Sequence, residues 1–108
     1  MKTAWSDEFY HHKDPTHDNG WDHIKLQYAE DCWVQSVIHE NATSAIGLRC
    51  CKNCSVFDCQ IIGNPGHNGF SISGFSHRNL IYNCKGGKQM HTYSIQDRVT
   101  ANVFSTAF

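Results

Sequence analysis

Apolar and polar residues alternate in four short segments of the chain, and these segments recur at nearly constant intervals. Each segment predicts a β-strand that buries one face, because successive side chains of a strand point to opposite sides. The segments begin at Ile24, Ile46, Phe70 and Tyr93, at intervals of 22, 24 and 23 residues. Such a repeat is typical of a solenoid with stacked coils, and we call each coil a rung.

The alternation also predicts which side chains point inward. Two apolar columns result, one formed by Ile24, Ile46, Phe70 and Tyr93 and the other by Leu26, Leu48, Ile72 and Ile95. Parallel strands lie about 4.8 Å apart, so the members of each column would lie directly above one another. The predicted fold is an all-β parallel solenoid of about four rungs, the last of them incomplete.

The chain is predicted to divide into an irregular lead-in and a repeating part. Residues 1–20 lack an apolar period, and residues 21–108 form rungs at about 21–43, 44–67, 68–90 and 91–108. The lead-in contains His11, His12, Asp14, His17 and Asp18, whose side chains suit a divalent metal. A solvated loop is the better explanation, because nothing holds these side chains in one geometry. We therefore expect no metal site and no cofactor.

Polar residues recur at the corner after each first strand. If the corners of the third and fourth rungs are two residues longer than the others, Asp31, Asn53, Asn79 and Asn102 stack as a ladder. Short amide and carboxylate side chains satisfy buried backbone groups in such a ladder and tolerate positive φ. The length of the corner decides this register.

Six cysteines suggest either a metal site or a buried stack: Cys32, Cys50, Cys51, Cys54, Cys59 and Cys84. Cys51-x-x-Cys54 has the spacing of zinc ligands, but the sequence has no second such pair. Cysteines packed as small apolar side chains are the better explanation. Cys32 and Cys54 occupy equivalent positions one rung apart, about 5 Å, which a disulfide would accept.

Composition limits the classes of partner. The 108-residue chain is 40 % hydrophobic and 18 % charged with a formal net charge of −1, so it predicts one soluble domain. No global positive field exists to attract nucleic acid or an anionic membrane, and no apolar run is long enough to span a bilayer. The N-terminus lacks the apolar core of a signal peptide.

The chain stops at Phe108, in the middle of a predicted rung. An uncapped solenoid end exposes strand edges and apolar surface. We therefore expect a fragment of a longer extracellular or cell-surface protein whose leader is missing, and end-to-end self-association through the uncapped end.

The rung residues resemble the pectin-lyase-like superfamily of right-handed parallel β-helices, over residues 21–105. The segments that carry the resemblance are Asp31–Val37, Lys52–Cys59, Gly69–Gly74, Arg78–Cys84 and Met90–Gln96. The resemblance implies a right-handed parallel β-helix. It also implies the functions of that superfamily, which comprises mostly secreted polysaccharide lyases, glycoside hydrolases and phage or surface adhesins. These segments follow the rung pattern, and no catalytic motif can be transferred with them.

The outward face of the first strands is polar and is the candidate site. Side chains that would contact a polysaccharide there are Lys25, Gln27, Ser71, Ser73 and Gln96. A solvated sheet face explains the same residues equally well. Arg49 or Lys25 could neutralise a uronate carboxylate, and His91 or His67 could transfer a proton, because the pKa of histidine lies near neutrality.

Two functions remain open from the sequence. A glycoside hydrolase needs two carboxylates across the scissile bond, and the outward face offers no such pair, only Asp97 in a neighbouring column. If the protein is catalytic, a uronide polysaccharide lyase is therefore preferred. The alternative is a non-catalytic carbohydrate-binding or structural β-helix. Convergence of Arg49, His67 and His91 on one cleft would favour the lyase.

Overall fold

A computed structural model describes residues 1, 2 and 22–105, and the histidines and aspartates of the lead-in, for which we expect a solvated loop rather than a metal site, lie outside this part of the chain. The described residues form ten β-strands and no α-helix, so none of their elements is a helix able to cross a membrane. The strands are β1 Asp22–Gln27, β2 Trp33–Gln35, β3 Ile38–Glu40, β4 Ser44–Arg49, β5 Ser55–Phe57, β6 Gln60–Ile62, β7 Gly66–Ser73, β8 Leu80–Tyr82, β9 Gln89–Ile95 and β10 Val103–Ser105.

The strands form three parallel sheets that wrap around one core. The first sheet has the order β1-β4-β7-β9, the second β2-β5-β8-β10, and β3 pairs with β6 in the third. All pairings are parallel and join each rung to the next. The chain is therefore a parallel β-solenoid of about four rungs, which confirms the predicted fold class.

The two predicted inward columns are confirmed by the register of the first sheet. Ile46 pairs with Ile24 below and with Phe70 above, and Leu48 pairs with Leu26 and with Ile72. The second and third rungs bury these side chains completely, whereas Tyr93 and Ile95 of the fourth rung are 38 % and 50 % exposed. Each rung thus depends on its neighbours to bury its apolar face.

The predicted asparagine ladder is wrong by one position in the first two rungs. Trp33, Ser55, Leu80 and Val103 are in register, so the residues before them form the ladder: Cys32, Cys54, Asn79 and Asn102. Asp31 and Asn53 precede this column, have positive φ and are exposed. The corners of the third and fourth rungs are one residue longer than the others, not two.

The error has a physical cause. Asp31 and Asn53 share their column with Arg78 and Ala101, and all four residues have φ between 53° and 59°. Asparagine and aspartate favour this left-handed backbone as much as they favour a ladder. Composition therefore could not distinguish the two adjacent positions, and only the pairing of the following strand does.

Candidate functional site

A polar groove of about 260 Å³ lies on the outward face of the first sheet. It spans all four rungs, because its walls include Lys25 of β1, Arg49 of β4, Ser71 of β7 and Ser94 of β9. Its position follows from the alternation of the strands, which turns every second side chain away from the core. We call this concavity the groove.

Two cations face the groove from adjacent rungs. Lys25 pairs with Gly47 and Gln27 pairs with Arg49, so the ammonium-bearing and guanidinium-bearing residues are two positions apart along the strands. Gly47 has no side chain between Lys25 and Ser71, which leaves space at the centre of the groove. Two positive charges on a concave polar surface favour an anionic ligand.

Hydroxyl and amide groups form much of the groove wall. Ser71, Ser73, Ser94 and Gln96 lie along it on the third and fourth rungs. These neutral groups donate and accept hydrogen bonds, as the hydroxyl groups of a sugar do. Gln27 is in register with Arg49 but is not one of the residues that line the groove in the described part of the chain.

A carboxylate stands at one end of the groove. Asp22 stacks on Ser44, which in turn stacks on Asn68. Partial burial raises the pKa of the Asp22 carboxyl above its ordinary value, while hydrogen bonds from Ser44 and Thr43 and the charge of Lys25 oppose that shift. The groove therefore combines two cations with one acid that takes up a proton more readily than usual.

The two predicted proton-transfer residues lie together but apart from the cations. The rings of His67 and His91 contact each other edge to face, with their centroids 5.3 Å apart. Neither histidine is among the described residues that line the groove. His91 is five strand positions and two rungs away from Arg49, so their Cα atoms are roughly 15–20 Å apart.

A second group of titratable side chains is buried inside the solenoid. Cys59 and Cys84 stack on adjacent rungs, and Cys59 also interacts with the fully buried His39. The interaction between the two neighbouring thiols lowers the pKa of Cys59 and raises the pKa of Cys84, and burial adds to the rise at Cys84. Both cysteines are almost completely buried, so a ligand in the groove cannot reach them.

The described cysteines are free thiols, including Cys32 and Cys54, whose predicted spacing a disulfide would accept. Burial raises the pKa of the Cys54 thiol, and its sulfur donates to the carbonyl oxygens of Lys52 and Ala29 at 3.6 and 3.7 Å. No set of three or more His, Cys, Asp or Glu side chains within residues 1, 2 and 22–105 could hold a metal ion.

A scan against protein-family models, a search of curated proteins and a search of solved structures find no match to this chain.

Sequence reasoning missed a second concavity beside the groove. Tyr28 and Phe75 lie at the corners that follow the first sheet, and both are largely exposed. Aromatic residues usually fill cores, so their presence in a corner gives no clear sign of exposure. The exposure of Tyr28 and Phe75 can be inferred only from the strand register, which shows that neither residue belongs to an inward column.

Proposed function

We propose that this β-solenoid binds an acidic polysaccharide along the groove. The observation that carries the proposal is the placement of Lys25 and Arg49 in one groove whose wall also offers hydroxyl and amide groups. Uronate carboxylates would pair with the two cations, and Arg49 presents a planar fork of donors that suits a carboxylate. Sugar hydroxyls would exchange hydrogen bonds with Ser71, Ser73 and Gln96.

The shape of the groove supports a linear polymer as the ligand. Outward strand positions repeat every rung, about 4.8 Å apart, so the groove presents a polar or charged side chain, or the open position at Gly47, at a regular spacing. A polymer with a short repeat could therefore contact several rungs at once. Each contact with an exposed charge is weak, and a polymer gains affinity by making several of them.

A uronide lyase remains the second candidate, and the geometry favours it less. A lyase must neutralise the carboxylate and remove the proton on the adjacent carbon, so the cation and the base must contact the same sugar unit. His67 and His91 are too far from Arg49 to act with it on one unit. Of the functions that the resemblance to pectin-lyase-like proteins implies, this geometry therefore supports binding of a polysaccharide more than its cleavage.

The first test measures binding of polygalacturonate, alginate and a neutral glucan by affinity electrophoresis and calorimetry. We expect binding of the two uronans but not of the neutral glucan, and weaker binding at high salt because the charges are exposed. Arg49→Gln and Lys25→Gln should each lower the affinity about tenfold, a loss typical of a charged hydrogen bond.

Lys85→Gln is the matched control for these variants. Lys85 is exposed, carries the same charge and is not among the described residues that line the groove. Its substitution should leave the affinity unchanged. Equal losses in Lys25→Gln and Lys85→Gln would indicate a general charge effect and contradict a specific groove.

A lyase assay separates the second candidate. Polysaccharide lyases produce an unsaturated sugar whose new conjugated double bond absorbs in the ultraviolet. We expect no increase in absorbance from folded protein with polygalacturonate. An increase that His91→Ala abolishes would establish the lyase and overturn binding as the sole function.

Binding should also depend on pH through Asp22. Since the pKa of Asp22 is raised, this carboxylate loses its charge at a higher pH than an ordinary aspartate. Its repulsion of a uronate would disappear as the pH falls through that raised pKa, so the affinity should increase over that fall in pH. Asp22→Asn should bind more tightly at neutral pH and lose this dependence. An unchanged pH profile in Asp22→Asn would contradict the role of Asp22.

A further inference from the structure

A second concavity of about 420 Å³ opens at the corners that follow the first sheet. Its walls include Tyr28 from the first rung, Phe75 from the third, and Asp97 and Arg98 from the fourth. We call it the corner pocket. Arg49 lines both the groove and the corner pocket, so the two concavities adjoin through one guanidinium group.

The backbone holds both aromatic rings away from the core. Tyr28 and Phe75 have φ of 54° and 59°. Their amides are nevertheless bonded within the solenoid, since Tyr28 N donates to Arg49 O and Phe75 N donates to Asp97 O, both at 3.0 Å. The side chains remain 77 % and 66 % exposed. Positive φ is unusual for bulky residues, so the backbone bonds between rungs, rather than the preference of the side chains, hold Tyr28 and Phe75 in this conformation with their rings exposed.

The extra residue of the long corners supplies both Phe75 and the cation beside it. His77 pairs with Lys52 below and with Thr100 above, so Phe75 and Arg98 occupy the position that the two shorter corners lack. The guanidinium carbon of Arg98 lies 5.8 Å from the centre of the Phe75 ring. This contact orients the ring and places a positive charge next to an apolar surface.

We propose that the corner pocket is a sugar-stacking subsite that extends the groove for the same acidic polysaccharide. The inference rests on the proposed function. A pyranose ring has an apolar face of C–H groups and a rim of hydroxyls, so it suits an exposed aromatic ring beside charged hydrogen-bonding groups. Arg98 and Arg49 would each meet a uronate carboxylate, and Asp97 would accept hydrogen bonds from hydroxyls.

Several features favour a saccharide over a second copy of the chain or an apolar peptide. Tyr28 and Phe75 come from rungs two apart, and Arg49 and Cys50 lie on the rung between them, so the two rings do not form a continuous apolar patch. The two arginines complement an anionic ligand. The shared Arg49 makes the corner pocket the direct continuation of a polar groove.

The test compares a uronate disaccharide with a uronate hexasaccharide by calorimetry on the whole chain. The shorter ligand would be held by the groove, and the longer one would also reach the corner pocket. We expect Phe75→Asn to lower the affinity for the hexasaccharide about fivefold to tenfold and to leave the disaccharide unaffected. Asparagine tolerates positive φ, so this variant should keep its fold.

Trp33→Ala is the matched control, because Trp33 is another exposed aromatic residue, 69 % exposed, and lies outside both concavities. It should bind both ligands like the unsubstituted protein. Arg49→Gln should weaken both ligands, because Arg49 lines both sites.

The outcomes distinguish the two proposals. If Phe75→Asn binds the hexasaccharide normally while Arg49→Gln weakens both ligands, the subsite is overturned and the proposed function stands. If the protein prefers neutral hexasaccharides and Phe75→Asn weakens them, the subsite stands while the acidic ligand is overturned. If the unsubstituted protein binds no saccharide of either kind, both proposals are overturned.

Discussion

The corners that follow the first sheet close the lower and upper halves of the solenoid in different ways. In the first two rungs the ladder position is cysteine, Cys32 and Cys54, and in the last two it is asparagine, Asn79 and Asn102. The side chains of Cys54, Asn79 and Asn102 nevertheless donate to equivalent carbonyl oxygens one rung below. These acceptors are Ala29 O for Cys54, Cys51 O for Asn79 and Ser76 O for Asn102.

The two residue types differ in what they accept. The Oδ1 atom of Asn79 accepts a bond from the backbone N–H of Cys54 at 2.9 Å, and the Oδ1 atom of Asn102 accepts one from Asn79 N at 3.0 Å. A thiol is a weak donor and a weak acceptor, and its donor bonds here are long. A cysteine in the ladder therefore still donates a hydrogen bond to the carbonyl oxygen one rung below, but it does not accept one from a backbone N–H as asparagine does.

Replacing the buried asparagine should have the largest effect. Asn79 is 1 % exposed, and its side chain bonds Cys51 O, Cys54 N and Asn102 Oδ1. Asn79→Ala leaves the buried N–H of Cys54 without its partner and leaves Cys51 O with only the bond from His77 N, so we expect the free energy of unfolding to fall by about 2–4 kcal/mol. Urea unfolding measures this loss.

The control for that variant is Asn64→Ala, at an exposed position. It should change the free energy of unfolding by about 0.5 kcal/mol at most. If the two variants lose equal stability, the asparagines of the ladder do not contribute more to the free energy of unfolding than an exposed asparagine does.

Changing cysteine to asparagine in the lower half should have an intermediate effect. Cys54→Asn restores an acceptor for the backbone N–H of Cys32 at nearly unchanged side-chain volume. We expect a gain of about 1 kcal/mol in the free energy of unfolding, the worth of one hydrogen bond. Cys54→Ala should instead lose stability because its cavity cannot collapse. An asparagine variant less stable than the alanine variant would show that the shorter corner cannot hold the amide.

The smallest effect should come from the positive-φ column. It contains Asp31 and Asn53 in the lower half, and Arg78 and Ala101 in the upper half. Asparagine tolerates this backbone better than alanine, so Ala101→Asn should gain about 0.5–1 kcal/mol and Asn53→Ala should lose a similar amount. Thermal unfolding of both variants measures whether their stabilities change in these opposite directions. Changes of the same sign would refute the explanation from backbone conformation.

The strands and their register could be predicted from the sequence because their signal is local and repeated. Alternation identifies the inward residues, and the interval from Ile24 to Ile46 fixes which residues stack. The corners could not be resolved in the same way. Asn53 and Asn79 look alike in sequence, but one has positive φ and is exposed, and the other is buried and bonded on both sides.

The candidate site was predictable only in part. Alternation places Lys25, Arg49 and Ser71 on the outward face, and the groove contains all three. The separation of Arg49 from His91 depends on strand direction and rung number together, which no short motif encodes. Phe75 was missed because its exposure follows from one extra corner residue, whose position becomes visible only from the pairing of His77 with Lys52 and Thr100.

The in-register stacking of the first sheet makes the fold extensible. β4 pairs with β1 and β7 pairs with β4 in the same parallel direction. In both pairings, apolar residues stack on apolar residues. A duplicated copy of residues 44–67 could therefore be spliced between the second and third rungs without reversing a strand or changing which side chains face inward. Such an insertion would lengthen the groove by about 4.8 Å per added rung. The length of the groove would then depend on how many copies of one rung the gene encodes.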